Sequence, residues 1–213
     1  MDLFLANSIA QFASLTASCR CQPDPANGAT DYCVKNPSSE CDVCSKVNIV
    51  TRSQWGARDA KSNRTMHTPV SEFFIHHTDT PTCTDITSCK ARVQGIQNYH
   101  MDHNGWSDIG YNFLVGEDGN VYEGRGWSFV GAHTQNYNSI AFGASMIGRY
   151  DSHLPNDKAL TAVKNLIACG IQLCKIRSNY RLYGHRDAGQ TSCPGDNLYT
   201  EIQTWPHYSH AHP

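Results

Sequence analysis

Residues 181–195 read RLYGHRDAGQTSCPG, a β-type run ending in His185 and then a turn-rich segment that delivers Cys193 just before Pro194-Gly195. The Pro-Gly pair signals a loop, in which a thiolate can turn toward a metal. Residues 72–83, EFFIHHTDTPTC, hold the complementary feature. EFFIHHT is β-rich and apolar, as a buried strand is, and it ends in two adjacent histidines. Successive strand side chains point to opposite faces, so one of His76 and His77 is expected to face a common pocket. His76, His185 and Cys193 together make a three-ligand zinc set whose fourth position stays open for water. That set suits hydrolysis, because zinc can lower the pKa of its water to about 7. Each residue alone has a plainer reading, as a satisfied structural histidine or, for Cys193, a disulfide partner.

Strands and helices alternate along the rest of the chain. Residues 87–103 place Val93, Ile96, Tyr99 and His100 at helical spacing, which predicts one amphipathic helix. YNFLVGEDGNVYEG (111–124) predicts a hairpin around Asp118-Gly119. SIAFGASMIG (139–148) reads as an apolar strand with small residues. Asn156 is the expected N-cap of a second helix with Leu160, Val163, Leu166, Ile167 and Gly170 on one face. Leu198, Ile202 and Trp205 mark a short last helix. The expected class is α/β, with a mixed central β-sheet flanked by helices.

The composition changes near Lys46. Residues 1–18 are moderately apolar and end in small residues, the pattern of a secretory signal cleaved near Ala17 or Ser18. Asp2, Asn7 and Gln11 are atypical of such a signal and leave an ordinary disordered terminus as the alternative, but the many cysteines favour the signal. Residues 19–45 hold five of the ten cysteines, Cys19, Cys21, Cys33, Cys41 and Cys44, among Pro, Asn, Asp and Ser. Such a segment buries little apolar surface, so disulfides are expected to staple it to itself, to Cys169 or to Cys174. A structural zinc competes, although CxC and CxxC without a shared second pair is not a usual finger spacing. Cys83 and Cys89 are close enough for a local bridge. Asn63-Arg64-Thr65 is a glycosylation acceptor in a secreted chain. HYSHAHP (207–213) has three spaced histidines that could hold a metal loosely, but it reads first as a disordered tail. Residues 46–213 remain as the main domain, long enough for a full core. The net charge of −2 argues against a nucleic-acid partner. No run approaches the roughly 20 apolar residues of a membrane helix, so no membrane insertion is expected.

IVTRSQWGA, FIHHTDTPTC, GWSDIGYNFLVGEDGNVYEGRGW, GAHTQNYNSI and GHRD…SCPG follow one another in order. From about residue 47 to 208 the chain resembles the peptidoglycan recognition proteins, which share the zinc amidase fold of a bacteriophage lysozyme. The resemblance does not reach the Cys-rich segment. It implies zinc on His76, His185 and Cys193, and a mechanistic tyrosine beside it at Tyr111. It implies a further polar contact at Thr191, where many animal amidases carry Thr and the phage enzyme Lys. Substrate contacts are implied at His77, Thr78, His100, His133 and Asn138. Gly105-Trp106 together with Arg125 matches members that prefer diaminopimelic acid stems, whereas lysine-type binders tend to carry Asn-Phe. Arginine suits that task because its planar fork pairs with a carboxylate. Outside this pattern, Tyr111 reads as a half-buried strand tyrosine, Trp106 as a core aromatic and Arg125 as a solvated charge.

The implied activity is that of a secreted, extracellular zinc N-acetylmuramoyl-L-alanine amidase acting on bacterial peptidoglycan and muropeptides in innate immunity. Such an enzyme cuts the amide between the lactyl group of N-acetylmuramic acid and L-alanine. Two other classes are compatible with parts of the chain. One is a peptidoglycan receptor that does not cleave, against which the intact His76, His185, Cys193 and Tyr111 set counts. The other is an antimicrobial module in the Cys-rich segment, against which its odd number of cysteines counts.

Overall fold

The computed structural model describes residues 21–23, 31–33 and 42–213. The expected signal segment lies outside the described residues, as does most of the Cys-rich segment. What is described of the latter begins with an antiparallel pair, β1 (Cys21–Pro23) and β2 (Asp31–Cys33). The chain continues as β3 (Ile49–Val50), α1 (Arg52–Trp55), β4 (Val70–His77), α2 (Ile86–Asn98), β5 (Phe113–Val115) and β6 (Val121–Glu123). It ends with β7 (Ala141–Met146), α3 (Asp157–Gln172), β8 (Ile176–Gly184) and α4 (Asp196–Ile202). Strands β3 to β8 form one sheet in the order β3-β6-β5-β7-β4-β8. Neighbours in it are parallel except β5 and β6, the expected hairpin. Helices cover both faces, which is why β4 and β7 read as near-continuous apolar runs.

Phe73 and Ile75 of β4 pack with Phe142, Ala144 and Met146 of β7 against Val163, Leu166 and Ile167 of α3 and Leu198 and Ile202 of α4. Each of these side chains other than Ala144 contributes about 1.5–3 kcal/mol on burial, so this layer carries much of the stability. The opposite face packs Leu114 and Tyr122 against Val93 and Ile96 of α2 and Trp55 of α1. Glu72, Phe74 and His76 share that second face, in register with Ala141, Gly143 and Ser145. The small side chains of β7 leave room there for what lies above them.

Asp85 caps α2 by accepting from the N–H of Thr87 and Ser88, and Asn156 caps α3 by accepting from that of Ala159, the latter as expected. The helix expected over 87–103 is α-helical through Asn98 and then widens into a π turn, Tyr99–His103. The turn re-aims His100, whose carbonyl accepts from the N–H of Trp106 at 2.9 Å and whose Nδ1 accepts from that of Gly110 at 3.0 Å. Cys83 and Cys89 form the expected bridge, and Cys44–Cys169 ties the segment before β3 to α3. Cys174 is also disulfide-bonded. Residues 207–213 are not a loose tail, contrary to their polar composition. Leu182 donates its N–H to the His207 carbonyl, Ser209 to that of Leu182, and the Tyr137 hydroxyl to that of Pro213 at 2.7 Å. The physical reason is that β8 is an edge strand, whose unpaired backbone groups accept a partner.

Candidate metal centre and substrate groove

His76 lies near the end of β4, and His185 opens a 3-10 turn directly after β8. The two strands are parallel neighbours, so their C-terminal ends meet at one edge of the sheet. Cys193 arrives from the loop before α4. The ligand atoms of His76, His185 and Cys193 lie within 4.8 Å of one another, and Cys193 Sγ is 3.7 Å from His76 Nδ1. Cys193 is the free cysteine among the described residues. His77 turns to the other face, as strand alternation requires. Its Nδ1 accepts from the N–H of Tyr150 at 3.4 Å, and its backbone N–H donates to Cys193 Sγ at 3.4 Å.

The surroundings prepare these donors for a cation. His76 Nε2 meets His133 Nδ1 at 3.1 Å and Thr134 Oγ1 at 3.3 Å, which leaves Nδ1 as the nitrogen for a metal. Burial pushes His76 well below the usual imidazole range, with His133 and His185 adding to the shift, and burial lowers His185 as well. Both are therefore neutral at pH 7, the form that ligates. Burial pushes the Cys193 thiol up to about 12, although the N–H of His77 and the charge of Arg186 favour the thiolate. A divalent cation beside it would displace that proton. Two neutral imidazoles and one convergent thiol fit zinc with a fourth position left over.

Further groups hold the two loops. Asp187 accepts from the Gly184 N–H at 2.7 Å, the Tyr199 hydroxyl at 2.5 Å and the Tyr208 hydroxyl at 3.1 Å, fixing the turn that carries His185. Thr191 is exposed, and its Oγ1 accepts from the N–H of Cys193 at 3.2 Å. The contact the structure displays for Thr191 is thus with the ligand loop.

A groove of about 570 Å³ runs from Thr78 past His100 and Tyr111. The Tyr111 ring lies 5.5 Å from His76 and 5.7 Å from His100. Burial, then the nearby Cys193, raises the pKa of its phenol, which stays protonated. The Trp106 ring, 38% exposed, packs 4.7 Å from His100. Gly105 has φ +72° and open space where a Cβ would stand, so its conformation favours glycine and leaves room beside Trp106. Burial, reinforced by Arg125, lowers His100 to about 4. With Nδ1 accepting from Gly110, neutral His100 carries its proton on Nε2. His133 lies so close over Gly131 and Gly143 that a Cβ at either would collide with its ring. Burial, with His185 and Arg125 adding, lowers His133 to about 3.

Two expected contact residues are already committed within the protein. Asn138 Oδ1 accepts from the N–H of His133 at 2.8 Å and of Thr134 at 2.9 Å, so it shapes their loop. Arg125 donates Nε to the Ile109 carbonyl at 2.7 Å and Nη1 to that of Val130 at 2.9 Å, which leaves Nη2 for a ligand. It lines a neighbouring cavity of about 230 Å³ with Asp108 and Trp127 rather than the one lined by Tyr111. Sequence reasoning missed Thr134, Ser145, Asp187, Tyr199 and Tyr208. Thr134 and Asp187 sit inside the GAHT and GHRD motifs and were open to notice. Ser145, beside the Tyr111 phenol and in register with His76, is visible only once the strands are paired.

Residues 66–196 match the family described as N-acetylmuramoyl-L-alanine amidase (Amidase_2). Peptidoglycan-recognition protein SC2 of Drosophila melanogaster is 46% identical over 162 residues, covering 76% of this chain and 88% of that protein. The N-acetylmuramoyl-L-alanine amidase of Homo sapiens is 43% identical over 165 residues, covering 76% of this chain and 29% of that protein. The crystal structure of peptidoglycan recognition protein LE in complex with tracheal cytotoxin, a monomeric diaminopimelic acid-type peptidoglycan, aligns with a TM-score of 0.75. It is 42% identical and covers 76% of this chain and 96% of that one. No helix among the described residues is long and apolar enough to cross a membrane. By sequence and by fold, the chain belongs to the N-acetylmuramoyl-L-alanine amidase family, among the peptidoglycan-recognition proteins.

Proposed function

We propose that the chain is a secreted, zinc-dependent N-acetylmuramoyl-L-alanine amidase of innate immunity. In this reading it binds bacterial peptidoglycan of the diaminopimelic type and hydrolyses the amide between the lactyl group and L-alanine. The observation that carries it is the convergence of His76, His185 and an unbridged Cys193 beside Tyr111. A zinc ion held by these three residues would supply a Lewis acid that acidifies water and polarises a carbonyl. The chain's own residues do the positioning. His133 and Thr134 hold Nε2 of His76 and so set its tautomer. Thr191 and the N–H of His77 hold Cys193. Tyr111 offers a protonated phenol to the oxyanion that develops when water attacks the carbonyl carbon. His100 and Thr78 line the groove that takes the muramyl peptide, Trp106 gives the stem peptide an apolar surface, and Arg125 Nη2 addresses the carboxylate that distinguishes diaminopimelic acid from lysine. The disulfides suit an oxidising, extracellular setting.

The test is incubation with defined muropeptides, with and without a chelator, read by mass spectrometry. Free stem peptide beginning with L-alanine is the expected product, lost on chelation and regained with zinc. Muropeptides that bind the zinc-loaded protein and remain intact would make it a receptor instead.

A further inference from the structure

The α2 wall of the groove holds a cation that the proposed reaction does not use. Arg92 is half-buried there, and its Nε is shielded from water without a hydrogen-bond partner. No described residue forms an ion pair or hydrogen bond with its guanidinium. Asp79, the carboxylate in the same groove lining, pairs with Arg149 at 3.3 Å. Nε, closed to water, is closed to a ligand as well, so Nη1 and Nη2 are the donors that a group filling the groove can meet, and no protein acceptor competes for them. There is also space for such a group. Gly95, one turn along α2, has open space where a Cβ would stand, and Tyr99 beyond it is 56% exposed.

We propose that this arm of the groove is an anion subsite, with Arg92 as its specificity-determining residue, for a phosphate ester on the saccharide side of a wall fragment. The placement rests on the functional reading above, in which the scissile amide lies by His76 and Tyr111 and the stem peptide runs toward Trp106 and Arg125. Arg92, Thr78 and Thr80 line one cavity and Arg125 another. The Arg92 arm is therefore left for the muramyl side of the amide. Amino sugars with acetylated nitrogens are uncharged, and a phosphate ester on a hydroxyl gives them the charge that Arg92 matches. The guanidinium fork pairs with two oxygens of such a group. The ester has two sources, the C6 hydroxyl where wall polymers attach and the C1 hydroxyl where precursors are phosphorylated.

The experiment is calorimetry on the full-length, disulfide-intact, zinc-loaded protein, with Tyr111→Phe introduced to slow turnover. The ligands are three matched muramyl peptides, with no phosphate, a C6 phosphate or a C1 phosphate, together with the unphosphorylated one amidated on the carboxylate of its second stem residue. One phosphorylated form is expected to bind about tenfold tighter than the plain one. The position that gains identifies the source. Arg92→Met should abolish the gain and leave binding of the plain ligand unchanged. Equal affinities for all three, or a gain that survives in Arg92→Met, overturn the subsite. If Arg92→Met instead erases a preference for a free over an amidated carboxylate on the second stem residue, the saccharide placement is overturned. Failure of every muropeptide to bind overturns the functional reading itself, and the subsite with it.

Discussion

On β4, Phe73 and Ile75 face α3, while their neighbours Phe74 and His76 face the groove side of the sheet. The first face meets large apolar side chains from β7 and α3 and is closed. The second meets Ala141, Gly143 and Ser145 in register, and its free space holds imidazoles. Burial acts oppositely on the two faces. On the apolar face it stabilises the fold. On the groove face it pushes the histidines down and the Cys193 thiol up, which keeps the imidazoles ready as ligands and leaves the thiol proton for a metal to displace. One strand thus serves stability and chemistry by parity alone, and each face has its own way to fail.

The sharpest separation comes from Cys193→Ser. The thiolate is lost but no disulfide is broken, so the folded state should persist while bound zinc and chelator-sensitive amidase activity fall to background. Metal content equal to the parent's, measured by elemental analysis after gel filtration, would remove Cys193 from the centre. The mirror change is Phe73→Ala. It opens a cavity in the closed face and should cost about 3–5 kcal/mol in urea unfolding, with turnover per folded molecule unchanged. If activity falls further than the folded fraction does, the two faces are coupled.

Tyr111→Phe keeps the ring and removes one hydroxyl. Turnover should drop by roughly 10²–10³-fold, or about 2.7–4 kcal/mol, if the phenol donates to the oxyanion. Zinc content and unfolding midpoint should stay near the parent values, and undiminished turnover would take Tyr111 out of the mechanism. Acid probes the groove face through His100. Its imidazole, ordinarily near 6.5, is lowered to about 4 in the folded protein, so between those values the unfolded chain binds a proton that the native state refuses. Stability of the metal-free protein should therefore be fully present above pH 6.5 and fall as pH drops toward 4, by up to about 3 kcal/mol from this residue. A melting temperature that stays flat across that window in chelator-treated protein would contradict the lowered pKa. The smallest effect belongs to Arg125. With Nε and Nη1 engaged by carbonyls, it can offer a ligand one arm of its fork, and a single charge-assisted bond corresponds to roughly tenfold in affinity. Calorimetry should show that preference for diaminopimelic over lysine stems in the parent and its loss in Arg125→Ala.

Much of this was legible before any strand was paired. EFFIHHT, the hairpin at 111–124, the Asn156 cap and the Cys83–Cys89 bridge are written in local patterns, because period-2 burial, turn chemistry, capping and short loops act over a few residues. The π turn at Tyr99–His103 was not, since the apolar spacing runs through it unchanged. Nor was the docking of residues 207–213, which depends on β8 being an edge strand. Strand alternation said that His76 and His77 part company, but which of them faces the groove depends on where α2 and α3 lie.

The sequence by itself determined which chemistry is available: two imidazoles and a thiol inside recognisable motifs, on a chain whose strands and helices alternate. Tertiary structure decided that these groups meet and in what state. His76 and Cys193 are 117 residues apart, and they approach within 3.7 Å because β4 and β8 are parallel neighbours whose ends share one edge. The choice of Nδ1 on His76, the diversion of Asn138 to its own loop and the unmatched Nε of Arg92 follow from contacts between distant segments. Hydrogen bonding and desolvation depend on what lies within a few ångströms in space, and neighbours along the chain do not specify that.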